Sequence, residues 1–312
     1  MIRLNKILVP TDFSTCADQA LAHAIILGNA MKSEVTLLHV VTLFDESVNH
    51  SSRHFSDLAK FYQEVEQTVS SQMRGLSAQH PSLTVRQEVV RGYSPAEEIV
   101  RFAEEKNDDL IVMGTHGRTG LGHLLLGSVA ERVVRSAKCP VLTVRKMHAD
   151  IMRRSGYQRI LVPLDFSQYS KHALRYGVEL AKQFNSQLDI LHVIEEQVQP
   201  AYYVSGEISL FNLVPDIREK SRAALKEFVE GDMPANLDFL LHLREGRSHT
   251  EIVAFAEEQE TDVIVLATHG LSGLEHLLLG STAEKVIRKA KCAVLTVKSP
   301  EREFVVPGTQ LQ

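Results

Sequence analysis

Apolar and polar positions along this chain form a regular alternation of short apolar runs and amphipathic stretches. Lys6-Ile-Leu-Val-Pro10 predicts a short strand, and Ala17, Ala20, Leu21, Ala24 and Leu27 recur after it at helical spacing. Ser14 stands where that helix needs an N-cap, and the helix is expected to run to about Lys32. Val35 to Val41 reads as a second strand. A polar segment from about Asp45 to Ser56 leads into a long helix ending near Ala78, and Leu83 to Val90 alternates as a third strand. Ser94-Pro95-Ala-Glu-Glu opens a helix, with a cap residue, a proline at the first position and early carboxylates. Leu110 to Met113 predicts a fourth strand, Ser128 to about Ala137 a helix, and Val141 to Val144 a fifth strand.

The pattern then starts again. Ile160–Pro163, Leu188–Ile194, Leu237–Leu243, Val263–Leu266 and Val294–Val297 predict five further strands in the same order. At an offset of 153 residues, 25 of the 38 positions in 108–145 recur in 261–298. Two domains follow, 1–146 and 157–299, joined by the polar stretch Lys146 to Tyr157, with Glu301 to Gln312 expected as a frayed tail. Strands alternating with helices predict an α/β architecture: two doubly wound domains, each a mainly parallel sheet with helices on both faces. Right-handed crossovers leave few topologies. Ligands in such sheets bind beyond the carboxyl ends of the strands, where the strand order reverses. That rule brings together Pro10 to Ser14, the residues after His39, and Gly114 to Ser128.

Composition narrows the partners. The 312 residues carry a formal net charge of −5, which argues against a nucleic-acid footprint. Arg132, Arg135 and Lys138 read as the exposed face and C-terminal end of a helix, where cations suit the dipole. No apolar run reaches the length of a membrane span, and the N-terminus shows no secretory pattern. Cys16, Cys139 and Cys292 are sparse and odd in number, as in a reducing cytoplasm, and the last two are expected as small buried thiols. The expectation is a cytoplasmic protein with no nucleic-acid or membrane partner.

The candidate chemistry lies in a repeated glycine loop. Gly114-Thr-His-Gly117 is followed after nine residues by Gly127-Ser128, and Ala267-Thr-His-Gly270 after nine by Gly280-Ser281. Gly114 and Gly117 permit close backbone approach. Gly127 and Ser128 stand at a helix start, where free N–H groups and the dipole favour an anion and the serine hydroxyl adds a donor. There is no Gly-Lys-Ser/Thr of a Walker A loop, and the glycine spacing is not the dinucleotide fingerprint. Asp12, beside Pro10 and Thr11, and Asp165, beside Pro163, follow the first strand of each half, where a carboxylate accepts hydrogen bonds from a base or ribose, or caps the helix. The second half departs at Ala267 for Gly114 and Leu271 for Arg118, so the sites are expected to be unequal, with the first the tighter.

These residues resemble the nucleotide-binding subgroup of the universal stress protein family, in its tandem form. Its pattern of Gly, two residues, Gly, nine residues, Gly, Ser or Thr is met in full by Gly114, Gly117, Gly127 and Ser128. Gly270, Gly280 and Ser281 meet it in the second half, with Ala267 departing. The resemblance implies a five-stranded parallel sheet of order 3-2-1-4-5 in each domain. It also implies ATP (or ADP or AMP), with Mg²⁺ or Mn²⁺ on the phosphates. Asp12 and the backbone of Val40 would contact adenine, Met113 and Gly114 the ribose, and Gly117, Gly127, Ser128 and Val129 the phosphates, with Arg118 near them. The second site would use Asp165, Val193, Gly270, Gly280, Ser281 and Thr282. Fifth strands commonly pair in the family, so 141–145 and 294–298 would build an internal pseudo-dimer, with a homodimer and a signalling partner beyond it.

The histidines carry no further site. His116 and His269 lie in the loops, with His123 and His276 seven residues on, and no nucleophile–base set is visible. His50 and His54 lack a third ligand at metal-site spacing. His39 and His192 are expected to be structural, and Glu131 and Glu284 to pair or face solvent. The leading function is a nucleotide-binding stress-response protein acting through conformation or assembly. The alternatives are a slow ATP hydrolase, for which no Walker B acid is present, and a nucleotide-free scaffold.

Overall fold

A computed structural model describes residues 3–42, 55–81, 83–116, 126–145, 156–195, 216–268 and 279–298. The chain divides into two compact units, one within residues 2–146 and one within 147–300. The first is built in the order β1 (Lys6–Pro10), α1 (Thr15–Met31), β2 (Glu34–Thr42), α2 (Phe55–Ala78), β3 (Val85–Gly92), α3 (Pro95–Lys106), β4 (Leu110–Gly114), α4 (Ser128–Ser136) and β5 (Val141–Val144). The second continues as β6 (Arg159–Leu164), α5 (Gln168–Phe184), β7 (Gln187–Ile194), α6 (Ile217–Glu230), β8 (Phe239–Glu245), α7 (Ser248–Glu258), β9 (Val263–Ala267), α8 (Ser281–Lys289) and β10 (Ala293–Val297).

Each unit has a parallel sheet with β3-β2-β1-β4-β5 in the first and β8-β7-β6-β9-β10 in the second, the same 3-2-1-4-5 order. The inner strands are apolar on both faces because helices cover both, so Ile7, Leu8, Ile111, Val112, Ile160 and Leu161 are fully enclosed. The edge strand β3 instead alternates, with Arg86 and Glu88 outward, which discourages pairing with another chain. One carboxylate pins the start of each sheet. Asp109 Oδ2 accepts the amides of Asn5 (2.8 Å) and Lys6 (3.0 Å), and its repeat partner Asp262 accepts those of Gln158 (2.6 Å) and Arg159 (3.0 Å).

The first helices start as expected: Ser14 accepts from the Ala17 amide and Ser167 from that of Ser170. Ser94 departs from expectation. Its hydroxyl does not cap α3 but accepts from Arg132 of α4 at 3.4 Å, leaving Pro95 and the early glutamates to start the helix. The third strands begin two residues later than the alternation suggests. Leu83 and Leu237 are held in turns by hydrogen bonds to His80 and Pro234 carbonyls, so pairing starts at Val85 and Phe239. α1 is enclosed on all sides from Ala20 to Gly28, including His23, whose imidazole is pushed down to about 4 by burial. Cys139 and Cys292 are buried as expected. Among the described residues no helix is long and apolar enough to cross a membrane.

Candidate functional site

In the first unit the strand order reverses between β1 and β4, and a cleft of about 850 Å³ opens there beyond the carboxyl ends of the strands. It brings together Pro10, Thr11, Asp12, Val40, Met113, Gly114, Gly127, Ser128 and Val129. These come from β1, β2, β4 and the start of α4, far apart in sequence. Gly117, Arg118 and Gly270 lie outside the described residues, as do His50, His54, His123, His269, His276 and Leu271.

The turn after β1 is held tightly. The Thr11 amide donates to Leu38 O (2.8 Å), and the Thr11 hydroxyl accepts from the Phe13 amide at 3.0 Å. Asp12 Oδ1 accepts from the Ser14 amide at 3.0 Å. Asp12 therefore orders the turn, and it is Ser14, not this carboxylate, that caps the helix. Phe13 sits at φ 62° and Phe166 at φ 64°, a left-handed conformation uncommon for a large side chain. Both are backed by the histidine of the second strand. Phe13 and His39 ring centroids lie 4.9 Å apart, and Phe166 and His192 4.4 Å. His39 Nδ1–H donates to Thr11 O at 2.7 Å and His192 Nδ1–H to Leu164 O at 2.8 Å, which is the structural role expected of both. Strain of this kind persists only where the surroundings over-determine it, and here it is repeated in both halves.

The start of α4 also lines the cleft. Gly127 is its N-cap and no side chain caps it, so the amides of Ser128, Val129 and Ala130 head a helix whose positive end faces the cleft. The Gly127 amide donates to Thr115 O at 2.7 Å, and a Cβ at 127 would come within 2.9 Å of that oxygen. Glycine is therefore required by the close crossing of strand and helix, at an ordinary φ of −61°. The second unit repeats the joint: Gly280 N donates to Thr268 O at 2.7 Å and α8 starts uncapped at Ser281 and Thr282. Pro163, Asp165 and Val193 stand at the ends of β6 and β7 as their counterparts do, with Asp165 Oδ1 accepting from the Ser167 amide at 3.0 Å.

Gly114 has a different reason from the one expected. A Cβ there would meet Cys16 of α1, 2.8 Å from its Cβ and 2.9 Å from its carbonyl carbon. At the repeat position, Ala267 carries the methyl that Gly114 lacks. Sequence reasoning also missed one wall of the cleft. Phe61, Tyr62, Val65, Thr68, Val69 and Gln72 of α2 line it, at the i, i+3, i+4, i+7 spacing of one helix face. That periodicity was the available signal. His116 lines the cleft, its Nδ1 2.9 Å from the Thr115 hydroxyl, and Ser14 Oγ donates to its carbonyl at 3.4 Å. Glu131 and Glu284 pair with Arg135 (3.0 Å) and Arg288 (2.9 Å) on the outer face of their helices.

The arrangement offers an apolar wall, a carboxylate and an uncapped helix start in one cleft. No Lys or Arg is among the described residues lining it. No group of three or more His, Cys, Asp or Glu placed to hold a metal forms among the described residues either.

Comparison with known proteins agrees with this architecture. Both halves match the universal stress protein family, over residues 3–145 and 156–298. Universal stress protein MJ0531 of Methanocaldococcus jannaschii is 39% identical over 147 residues, 47% of this chain and 85% of that protein. Universal stress protein E homolog of Haemophilus influenzae is 25% identical over 324 residues, covering 97% of this chain and 100% of that protein. The crystal structure of a universal stress protein from Archaeoglobus fulgidus superposes with a TM-score of 0.67 at 24% identity, over 96% of this chain and all of that one, and shows the shared fold. With the family matched in each half, this chain belongs to the universal stress protein family and carries two of its domains in tandem.

Proposed function

We propose that this chain is a cytoplasmic adenine-nucleotide-binding stress protein, whose halves, paired through residues 141–145 and 294–298 as the repeat suggests, respond to nucleotide by a change of conformation or assembly. The observation that carries the reading is the single cleft joining Asp12 and Val40 to the uncapped start of α4. A flat apolar base suits the wall made by Leu38, Val41, Val65 and Val69, and the carboxylate of Asp12 suits a donor on base or ribose. Phosphates suit the amides of Ser128, Val129 and Ala130. A divalent cation would ride on the phosphates, because the cleft supplies few ligands of its own. Mass spectrometry of nucleotide released from the purified protein is the test: ATP, ADP or AMP at a fixed ratio to protein is expected, and a protein that neither releases nor takes up any of them contradicts the reading.

Arg118 is proposed to add a cation that Leu271 cannot supply. Arg118→Leu is expected to weaken ATP binding in the first half about fivefold and leave adenosine unchanged, since a screened charge contact contributes about 1 kcal/mol. Equal ATP affinities by calorimetry would remove Arg118 from the site.

A further inference from the structure

The two units finish their sheets differently at the outer strand. In the first, β3 carries Arg86, Glu88 and Arg91, with Arg86 paired to Glu34 at 2.7 Å and Arg91 to Glu66 at 2.6 Å. In the second, β8 holds the same place, with β7 as its one strand neighbour among the described residues. Its first five residues are Phe239-Leu-Leu-His-Leu243, with no lysine, arginine, acid or proline to discourage pairing. Leu240 is 52% exposed, a large apolar side chain at a sheet edge.

The bonds on one side of β8 fix what the other side offers. The Asp238 carbonyl accepts from the Leu188 amide at 3.3 Å and the Gly246 amide donates to Ile194 O at 3.1 Å, so the even-numbered residues turn to β7. The amides and carbonyls of Phe239, Leu241 and Leu243 therefore turn outward, where a further strand would take them. His242 is held firmly at this edge: its Nε2 lies 2.8 Å from Oδ1 of the buried Asp189, and its ring centroid 4.6 Å from that of Phe255. Asp238, just ahead of the strand, is exposed.

We infer that β8 is a self-association edge, on which a second copy of this chain pairs antiparallel, β8 to β8, about a twofold axis at Leu240. That axis buries the exposed Leu240 against its own mate. Phe239 and Leu241 then exchange backbone bonds across the axis, and the exposed carboxylate of Asp238 faces the imidazole of His242, an acid opposite a base. The neighbouring registers lack this match. An axis at Leu241 would set Asp238 opposite Arg244, which Glu251 (3.6 Å) and Glu258 already hold, and an axis at His242 would set imidazole against imidazole. The occupant is a second copy because this one strand supplies both members of every matched pair. The edge belongs to the second unit and stands independently of the nucleotide reading.

Sedimentation of the full chain at rising concentration tests the pairing. Two short strands bury little surface, so a weak, reversible dimer is expected, populated on the order of 100 μM chain. Leu240→Lys, at a position already half exposed, is expected to leave the melting temperature unchanged and to weaken the dimer about tenfold or more, by removing the apolar contact and setting like charges on the axis. Leu240→Cys is expected to give a disulfide-linked dimer on mild oxidation that the unaltered chain does not, because residues facing each other at the axis have Cα atoms about 4.5 Å apart, within disulfide reach. Asp238→Cys is expected to give none, since its mate lies four residues along the strand, about 13 Å away. A chain that stays monomeric throughout leaves the edge to a different partner and overturns the proposal. So does a dimer that Leu240→Lys leaves intact, or a disulfide through position 238 in place of 240.

Discussion

A chain carrying Ser128→Asp is expected to melt at or above the temperature of the unaltered protein while binding ATP in its first half about 100-fold more weakly. The two effects have one cause. Ser128 is the first residue of α4 and is exposed at the cleft. A carboxylate at that position interacts favourably with the positive end of the helix by about 0.3–1 kcal/mol. The same carboxylate occupies the charge that a phosphate would use and repels it. Loss of charge-assisted hydrogen bonds of about 1.5–3 kcal/mol converts to one to two decades in affinity. A role of Gly127 and Ser128 confined to folding predicts no such split. Gly127→Val is the less informative change, because its side chain would collide with Thr115 O and disturb the strand–helix joint itself. Thermal melts and calorimetric titrations of the Ser128→Asp chain decide the matter. Unaltered ATP affinity would show that the start of α4 is not the phosphate site.

Acid is expected to weaken the first unit through His23. Its imidazole is enclosed in α1 and pushed down to about 4, against an ordinary value near 6.5. Above pH 6.5 the ring is neutral folded and unfolded and has no effect. As the pH falls below 6.5 the unfolded chain takes up a proton that the folded chain refuses, so stability declines by about 1.4 kcal/mol per pH unit until the folded ring protonates near pH 4. At pH 5 the loss amounts to about 2 kcal/mol. Urea unfolding followed at pH 7, 6 and 5 should show this slope in the unaltered chain and a shallower one in His23→Leu. Parallel slopes for the two chains would mean that His23 exchanges its proton freely while folded.

Strand order, the repeat and the joint of strand to helix were legible because each rests on local signals. Apolar runs of four or five residues mark strands enclosed on both faces, the order of β and α elements then leaves few parallel arrangements, and the family resemblance supplied the strand order among them. Gly127-Ser128 and Gly280-Ser281 announce an uncapped helix start in four letters. What escaped was set by tertiary placement. The α2 wall of the cleft depends on how that helix lies across β2 and β3, and its residues look in sequence like any amphipathic face. Ser94 was diverted from capping by Arg132, a residue 38 positions away. Gly114 reads in sequence as a place for a ligand, whereas its missing side chain makes room for Cys16.

The most direct measurement is a calorimetric titration of ATP into the full chain carrying Ser281→Asp, which leaves the first cleft as the one intact site. The account predicts saturable binding of one ATP per chain, competed by adenosine and weakened about 100-fold when Ser128→Asp is added. No saturable binding in the Ser281→Asp chain, or an affinity unchanged by the second substitution, would contradict the assignment of that cleft as a nucleotide site.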